Sequence, residues 1–379
     1  MDIFYFISCI KLGVQNYKKY LILSIIFCTF VIEINFGMKK RFLCSLLFVI
    51  LTLTLYSQSM KIMTYNVENL FDTQHDSLKN DKEFLPNSDL RWTNNRFYEK
   101  LHEIMQVVVG LGGDELPLLV GLCEVENDFV LKAMTQFDPY DQLGYDYVHY
   151  EGPDARGIDV ALLYQKDKFT PLASRPIPVH LSNGQRGRDL LYTCGALSDS
   201  TLLHVIQVHF PSRREGALAS EPNRHAAAKA VRQVVDSVQT LDPEAAIVIM
   251  GDFNDNPSDK VPTTTLAALP YTSGSFENSK LYNLCWDGHE YEDREIGSYF
   301  HDGQWDMLDQ IIVSGALLNG NLSVRAMPEA EIYHPKWISK RDKRTGEMIP
   351  KRTYVGPFYQ GGVSDHFPVF IEMFFKSEL

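Results

Sequence analysis

Ile247-Val-Ile-Met-Gly-Asp-Phe-Asn-Asp255 is the stretch from which the rest of the chain can be read. Its first half is short, apolar and β-branched, the pattern of a strand covered on both faces. The run stops at Gly251 and delivers Asp252 and Asn254 just beyond it. Gly251 is expected to let the backbone turn tightly, so that the strand end presents a carboxylate and a carboxamide. Alone, Gly-Asp-x-Asn is equally a plain turn, because all three residue types favour turns. Its neighbours in the sequence carry the same pattern and weigh against the plain turn.

Upstream, Leu202–Ser212 is another apolar run, with His209 at its end and Arg213 close behind. Leu116–Asn127 is a third, ending in Glu124. A carboxylate placed straight after a buried strand is costly unless it meets a cation or hydrogen-bond donors, and a metal ion answers that need. Glu126 is expected at the surface or behind the ligands. Lys61–Phe71 alternates apolar and polar residues and places Asn66 and Glu68 on one face of a strand. Arg156-Gly-Ile-Asp159 opens a further strand with a polar pair. Downstream, Asp309 opens a buried strand, with Asp306 the weaker candidate, and Asp365-His366 precedes the last one. An Asp-His pair at a strand edge suits a histidine held near a reacting phosphate. Helical spacing is expected over Arg96–Val109 and Glu221–Val238, and the polar stretch Asp72–Asn95 reads as a loop or insertion. Residues 331–360 form a basic, aromatic loop with Lys336, Lys340, Arg341, Lys343, Arg344, Lys351, Arg352 and Tyr354, read either as a phosphate-facing element or as a solvated loop.

The 379 residues suffice for one large domain with an ample core. Residues 38–59 hold a basic start, an apolar run and a small-residue exit, a secretory signal expected to be cleaved before Met60 or after Ser57. Met38 is the expected true start. Glu33 and the shortness of the earlier apolar run argue against a membrane span in residues 1–37. The domain reading is therefore a leader, 1–59, and one catalytic domain, 60–379, in a secreted or periplasmic protein. Of 36 basic and 48 acidic residues, six and two fall in the leader, which leaves the body at −16. Such a body does not attract polyanions at long range, and suits a protein whose bound cations reverse the local field. Three cysteines remain after the leader, Cys123, Cys194 and Cys285, too few for a disulfide framework. Cys123 and Cys194 are expected as buried thiols.

The assembled set is oxygen-rich, contains imidazoles and lacks a nucleophilic Ser or Cys motif. Hard oxygen ligands point to Mg²⁺, Mn²⁺ or Ca²⁺ and to phosphoryl chemistry. In combination, Tyr-Asn-Val-Glu at 65–68, Glu124, His209, Gly-Asp-Phe-Asn at 251–254, Asp-Gln-Ile-Ile-Val-Ser at 309–314 and Ser-Asp-His-Phe-Pro-Val at 364–369 resemble the endonuclease/exonuclease/phosphatase superfamily, in particular its secreted bacterial members. The resemblance runs from about residue 60 to the C-terminus. It implies an α/β fold, a four-layered sandwich of two mostly antiparallel sheets packed face to face with helices outside, as in DNase I. It implies Glu124 as the main metal ligand with Asn66, Glu68 and Asp365 near it. Asp252 and Asn254 would position or deprotonate the attacking water, His209 and His366 would bind the scissile phosphate, and Asp309 would orient His366. Cys123 stands where the family often has Gln before the metal glutamate. The expected activity is that of a secreted nuclease or phosphodiesterase on nucleic acid or another phosphodiester. The alternative is a phosphatase or phospholipase C-type enzyme on small or lipid phosphoesters. A monomer without a stable protein partner is expected, and the full set of acidic and histidine positions speaks against a binding protein without turnover.

Overall fold

The computed structural model describes residues 59–376 except Glu215, Ser273 and 290–295. The leader reading lies outside the described residues, apart from Ser59, which begins the first strand. Strands β1 (Ser59–Leu70), β2 (Leu119–Val125), β3 (Tyr145–His149) and β4 (Asp159–Gln165) open one sheet. A second sheet follows from β5 (Phe169–Ile177), β6 (Leu190–Leu197), β7 (Leu202–His209), β8 (Ala246–Asp252), β9 (Ala268–Pro270), β10 (Leu281–Asn283) and β11 (Asp309–Ser314). Then β12 (Val324–Ala326), β13 (Glu331–Ile332) and β14 (Val369–Phe375) return to the first. The strand orders are β12-β14-β1-β2-β4-β3, with β13 also on β14, and β5-β6-β7-β8-β11-β10-β9.

Alternation along the strands builds the layers. Val248 and Met250 of β8 face Ile62 of β1, Cys123 of β2 and Ile371 of β14 in a core between the sheets. Ile247 and Ile249 point the other way, into a core under α3 (Ala217–Leu241). Met63 of β1 and Val120 of β2 pack outward against Phe97, Leu101 and Ile104 of α1 (Asn94–Gly112) and against Val130 and Met134 of α2 (Asp128–Thr135). Each such fully buried aliphatic side chain contributes about 1.5–3 kcal/mol. The result is helix, sheet, sheet, helix, the expected four-layered sandwich. Both long helices outrun their expected ranges, α1 because it runs on to Gly113, whose φ of 63° ends it with a bond to the Val109 carbonyl.

The topology brings the polar strand ends together. Most strand pairs are antiparallel, but β1/β2, β7/β8 and the short β9/β10 are parallel, the first two joined by a crossing helix, α1 or α3. Their C-terminal ends therefore lie side by side. Their antiparallel neighbours β14 and β11 present N-terminal ends to the same edge. Residues that close β1, β2, β7 and β8 thus meet residues that open β11 or precede β14.

Three local expectations change. Gly251 is not at a turn but inside β8, where its φ of 144° and the Val208 carbonyl, 1.9 Å from where a Cβ would sit, exclude a side chain. Of the two places expected for Glu126 the surface is excluded, since it is buried with its carboxylate accepting the Asp72 N–H at 2.7 Å. Cys194 is half-buried rather than buried, since alternate positions of β6 face outward. Cys123, Cys194 and Cys285 are all free thiols.

Candidate active site

His209, Asp252 and Asp309 stand in one row across β7, β8 and β11, because the register pairs His209 with Asp252 and Asp252 with Asp309. Asp252 is the hub. Its Oδ1 accepts the Asn254 N–H at 2.8 Å, and its Oδ2 accepts Asn66 Nδ2 at 3.0 Å. The same Oδ2 lies 3.6 Å from His209 Nε2 and 4.0 Å from His366 Nε2. The Asn66 contact crosses from one sheet to the other. Asn254, at φ 51°, donates its carboxamide to the Phe210 carbonyl at 3.0 Å, which fixes the turn after β8. Burial pushes Asp252 up to about 7. His366 opposes the rise and Asp309 adds to it. A carboxylate in that range can take a proton near neutrality.

The two imidazoles are driven apart. Burial, with the charges of Arg188, Arg156 and His366, holds His209 well below its ordinary value, so it is neutral. Burial would also lower His366. Against it, Asp309, by charge and by accepting the His366 Nδ1–H on its Oδ2 at 2.6 Å, together with Asp365 and Asp252, pushes His366 up to about 10. His366 is therefore a cation with one ring nitrogen fixed and Nε2 aimed at Asp252. Such divergent pairs are the usual basis of acid and base assignments.

The first sheet supplies its residues through irregular backbone. The β1/β2 register shifts between Asn66 and Leu70, and the β2/β4 register shifts between Cys123 and Val125. Glu68, Asn69 and Glu124 have φ of 49°, 54° and 67°, a left-handed region that costs a non-glycine residue about 1–3 kcal/mol. The break overturns the one-face reading of Asn66 and Glu68. Asn66 Oδ1 accepts the Glu68 N–H at 3.0 Å, and Glu68 turns aside to accept the Thr353 N–H at 2.7 Å. Glu124 Oε2 is held by the Asn69 N–H at 2.8 Å, while Oε1 lies 3.5 Å from Asn66 Nδ2 and 3.8 Å from His209 Nε2.

Asn66, Glu124, His209, Asp252, Asn254, Asp309 and His366 are thus joined by direct contacts. Glu68 and Asp365 form a neighbouring acidic pole. Burial first, then the Asp365 charge, raises Glu68 to about 8, against Lys100, the Thr353 N–H and Arg352. Asp365 pairs with Arg352 at 2.5 Å and lies 3.9 Å from His366 Nε2. Among the described residues no group of three His, Cys, Asp or Glu side chains is arranged as a metal centre. The donor chemistry still fits a hard divalent cation through its carboxylates: Glu124 Oε1 has no donor closer than Asn66 Nδ2, and positive charge would relieve the Glu68–Asp365 repulsion, while Asn66 Oδ1 is occupied by the Glu68 N–H.

Several site residues escaped the sequence reading. Lys100 points inward from α1, three residues after Phe97 on its buried face, and donates to the Glu68 carbonyl and, at 2.6 Å, to Thr353 Oγ1. Arg156 and Arg188 flank Glu124 and His209, with Arg156 donating to Asn69 Oδ1 at 3.3 Å and Arg188 to the His209 carbonyl at 3.3 Å and to Asp154 at 3.0 Å. Tyr299 packs against His366 with ring centroids 4.8 Å apart and the planes tilted by 38°. Of these, only Arg156 left a sequence signal, the polar pair that opens its strand. Arg213 braces the turn after β8, reaching the Asn254 carbonyl at 2.5 Å and Asp259 at 2.8 Å. The basic loop is not a uniform cationic face: Arg352 binds Asp365, Lys351 the Gly361 carbonyl, and Arg344 Asp302.

A profile described as the Endonuclease/Exonuclease/phosphatase family matches residues 61–374. No curated protein matches the chain. An endonuclease/exonuclease/phosphatase family protein from Bacteroides thetaiotaomicron has a similar structure, with a TM-score of 0.51 and 16% identity over 85% of this chain and 97% of that one. An endonuclease/exonuclease/phosphatase from Bacteroides vulgatus gives 0.50 and 14%, over 84% and 100%. Humanised D. rerio TDP2 gives 0.50 and 14%, over 84% and 99%. At such identities the likeness concerns the fold.

Proposed function

Because the chain belongs to the endonuclease/exonuclease/phosphatase family, a family of phosphoester hydrolases, we propose that it is a divalent-metal-dependent hydrolase that attacks phosphodiesters directly with water. The observation that carries this reading is the position of Asp252 between Asn66, His209 and His366. Asp252 takes the proton of the attacking water as its oxygen bonds to phosphorus, the bond from phosphorus to the leaving oxygen breaks, and the departing alkoxide is protonated from solvent. Cationic His366, oriented by Asp309, donates Nε2–H to a phosphate oxygen as charge builds there, and neutral His209 steadies a second oxygen. Fixed donors of this kind act most strongly on the transition state. Glu124, with Asn66, Glu68 and Asp365 nearby, would hold a Mg²⁺ or Mn²⁺, which would supply positive charge against the phosphate. Arg156 and Arg188 add fixed positive charge on the same side. The leader at 38–59 makes it an exported enzyme, and N-terminal sequencing of the mature protein tests that part.

A second reading, hydrolysis of small phosphoesters, is favoured by the internal pairing of the basic loop, which breaks the stripe a long polyanion would follow. The test offers plasmid DNA, RNA, bis-p-nitrophenyl phosphate and p-nitrophenyl phosphate to the purified protein with Mg²⁺, Mn²⁺ or EDTA. The expected result is metal-dependent hydrolysis of at least one substrate, lost in His366→Ala. Hydrolysis untouched by EDTA, or retained in His366→Ala, contradicts the proposal.

A further inference from the structure

A cavity of about 200 Å³ opens beside the acidic pole, with Glu68 and Asn69 at its inner end. Asn69 is the residue whose N–H holds Glu124, so the cavity adjoins the hydrolytic centre. Two segments distant in sequence close it. Phe84 and Trp92 come from the stretch before α1, and Tyr354 from the basic loop. They are latched together: Tyr354 OH donates to the Leu90 carbonyl at 2.9 Å, and Arg96 donates to the same carbonyl at 2.7 Å and to Tyr354 OH at 3.4 Å. Trp92 Nε1 is spent on the Phe71 carbonyl at 2.9 Å, and Phe84 is stacked on Phe71, so these rings offer apolar surface rather than donors.

The polar lining is distinctive. Arg156 and Arg214 both reach the cavity, with Glu83 at its rim. Arg156 spends one nitrogen on Asn69. Arg214 is exposed and has no hydrogen bond or ion pair among the described residues. An arginine left unmatched beside an aromatic wall is a ready partner for an anion. Glu83 accepts hydroxyls but not a second anion. The volume falls below the roughly 300–1,000 Å³ of pockets that take a whole drug-sized ligand. It has room for a ring.

We infer that this cavity is a specificity subsite for the leaving-group side of a small, ring-bearing phosphoester, and that Arg214, with Arg156, recognises a second phosphate on that ring. The inference rests on the second reading above, hydrolysis of small phosphoesters, within which it selects ring-bearing bisphosphates. The ring could belong to a sugar or a nucleoside, and the test separates the two sources.

The test measures kcat and KM of the full protein with Mg²⁺ on fructose 1,6-bisphosphate against fructose 6-phosphate, and on adenosine 3′,5′-bisphosphate against adenosine 5′-monophosphate. Plasmid DNA serves as the polymer. Calorimetric binding of the same four compounds in EDTA runs alongside, on wild type and Arg214→Ala. The expected result is at least a tenfold kcat/KM preference for the bisphosphate in one pair, which names the source. Arg214→Ala should erase that preference through KM, with the rate on the monophosphate unchanged, and should weaken bisphosphate binding about tenfold. Equal kcat/KM within both pairs, DNA preferred over all four compounds, or a preference that survives Arg214→Ala overturns the subsite and leaves the hydrolase reading standing. Arg214-dependent binding without any hydrolysis retains the subsite and overturns the hydrolase reading.

Discussion

The two sheets contribute to the same site by opposite means. In the second sheet, His209, Asp252 and Asp309 sit in regular register on adjacent strands, and ordinary strand geometry delivers them as a row. In the first, Glu68 and Glu124 arrive only because both strands break register and adopt left-handed backbone at those residues. Regular strands place residues cheaply but only at fixed spacings. A bulge re-aims a side chain at the cost of strain, which is why bulges recur beside active sites. The row His209, Asp252 and Asp309 keeps its register, whereas Glu68 and Glu124, the proposed metal ligands, sit on strained backbone.

That contrast can be broken or sharpened. The largest effect is expected in the regular row. Asp309→Asn leaves the strands intact but removes the charge that keeps His366 cationic, so kcat should fall on the order of 10²–10⁴-fold with an unchanged circular dichroism spectrum. A fall below tenfold would remove His366 from the chemistry. Next is the support behind Asp252. Arg224 is buried in α3 and pairs with Asp255 at 2.9 Å, directly beyond the Asp252–Asn254 turn. Arg224→Met leaves that carboxylate only the more distant Arg213, at 3.4 Å, and should cost about 3 kcal/mol in urea unfolding. A loss under 1 kcal/mol would show that the pair does not brace the row.

Much of the regular half was legible in the sequence, because an apolar run that ends in Asp or His locates both strand and side chain. His209 and Asp252 follow from such runs, Asp309 and His366 from their places at or before the start of one, and the four-layered sandwich follows from the family resemblance those motifs carry. The strained half was only partly legible. Nothing in Asn-Val-Glu-Asn signals a register break, so alternation wrongly put Asn66 and Glu68 on one face. Lys100 was hidden because a lysine within an amphipathic helix reads as solvent-facing, and its partners Glu68 and Thr353 are far away in sequence. The side cavity exists only where residues 84–92 meet Thr353 and Tyr354, a tertiary meeting with no local pattern.

Smaller effects separate close packing from strain. Gly251→Ala would drive a Cβ into the Val208 carbonyl, and the shift between β7 and β8 should cost about 1–3 kcal/mol and displace Asp252. Thermal melting and kcat should fall together, and an unaffected kcat would separate the row from its backbone. The smallest effect runs in the other direction. Glu124→Gly removes the left-handed penalty along with the proposed ligand, so stability should rise by up to about 1 kcal/mol while activity is lost. A melting temperature that falls would mean that the Glu124 bond to Asn69 outweighs the strain.

The central claim is that the edges of both sheets act as one catalytic unit through Asp252. The most direct test is a double-mutant cycle on kcat/KM with Mg²⁺, using Asn66→Ala from the first sheet, Asp252→Asn from the second, and the double variant. One unit predicts gross non-additivity, with the double variant losing little more than the worse single variant. Losses that multiply as independent factors would contradict the account and make the Asn66–Asp252 contact a structural tie alone.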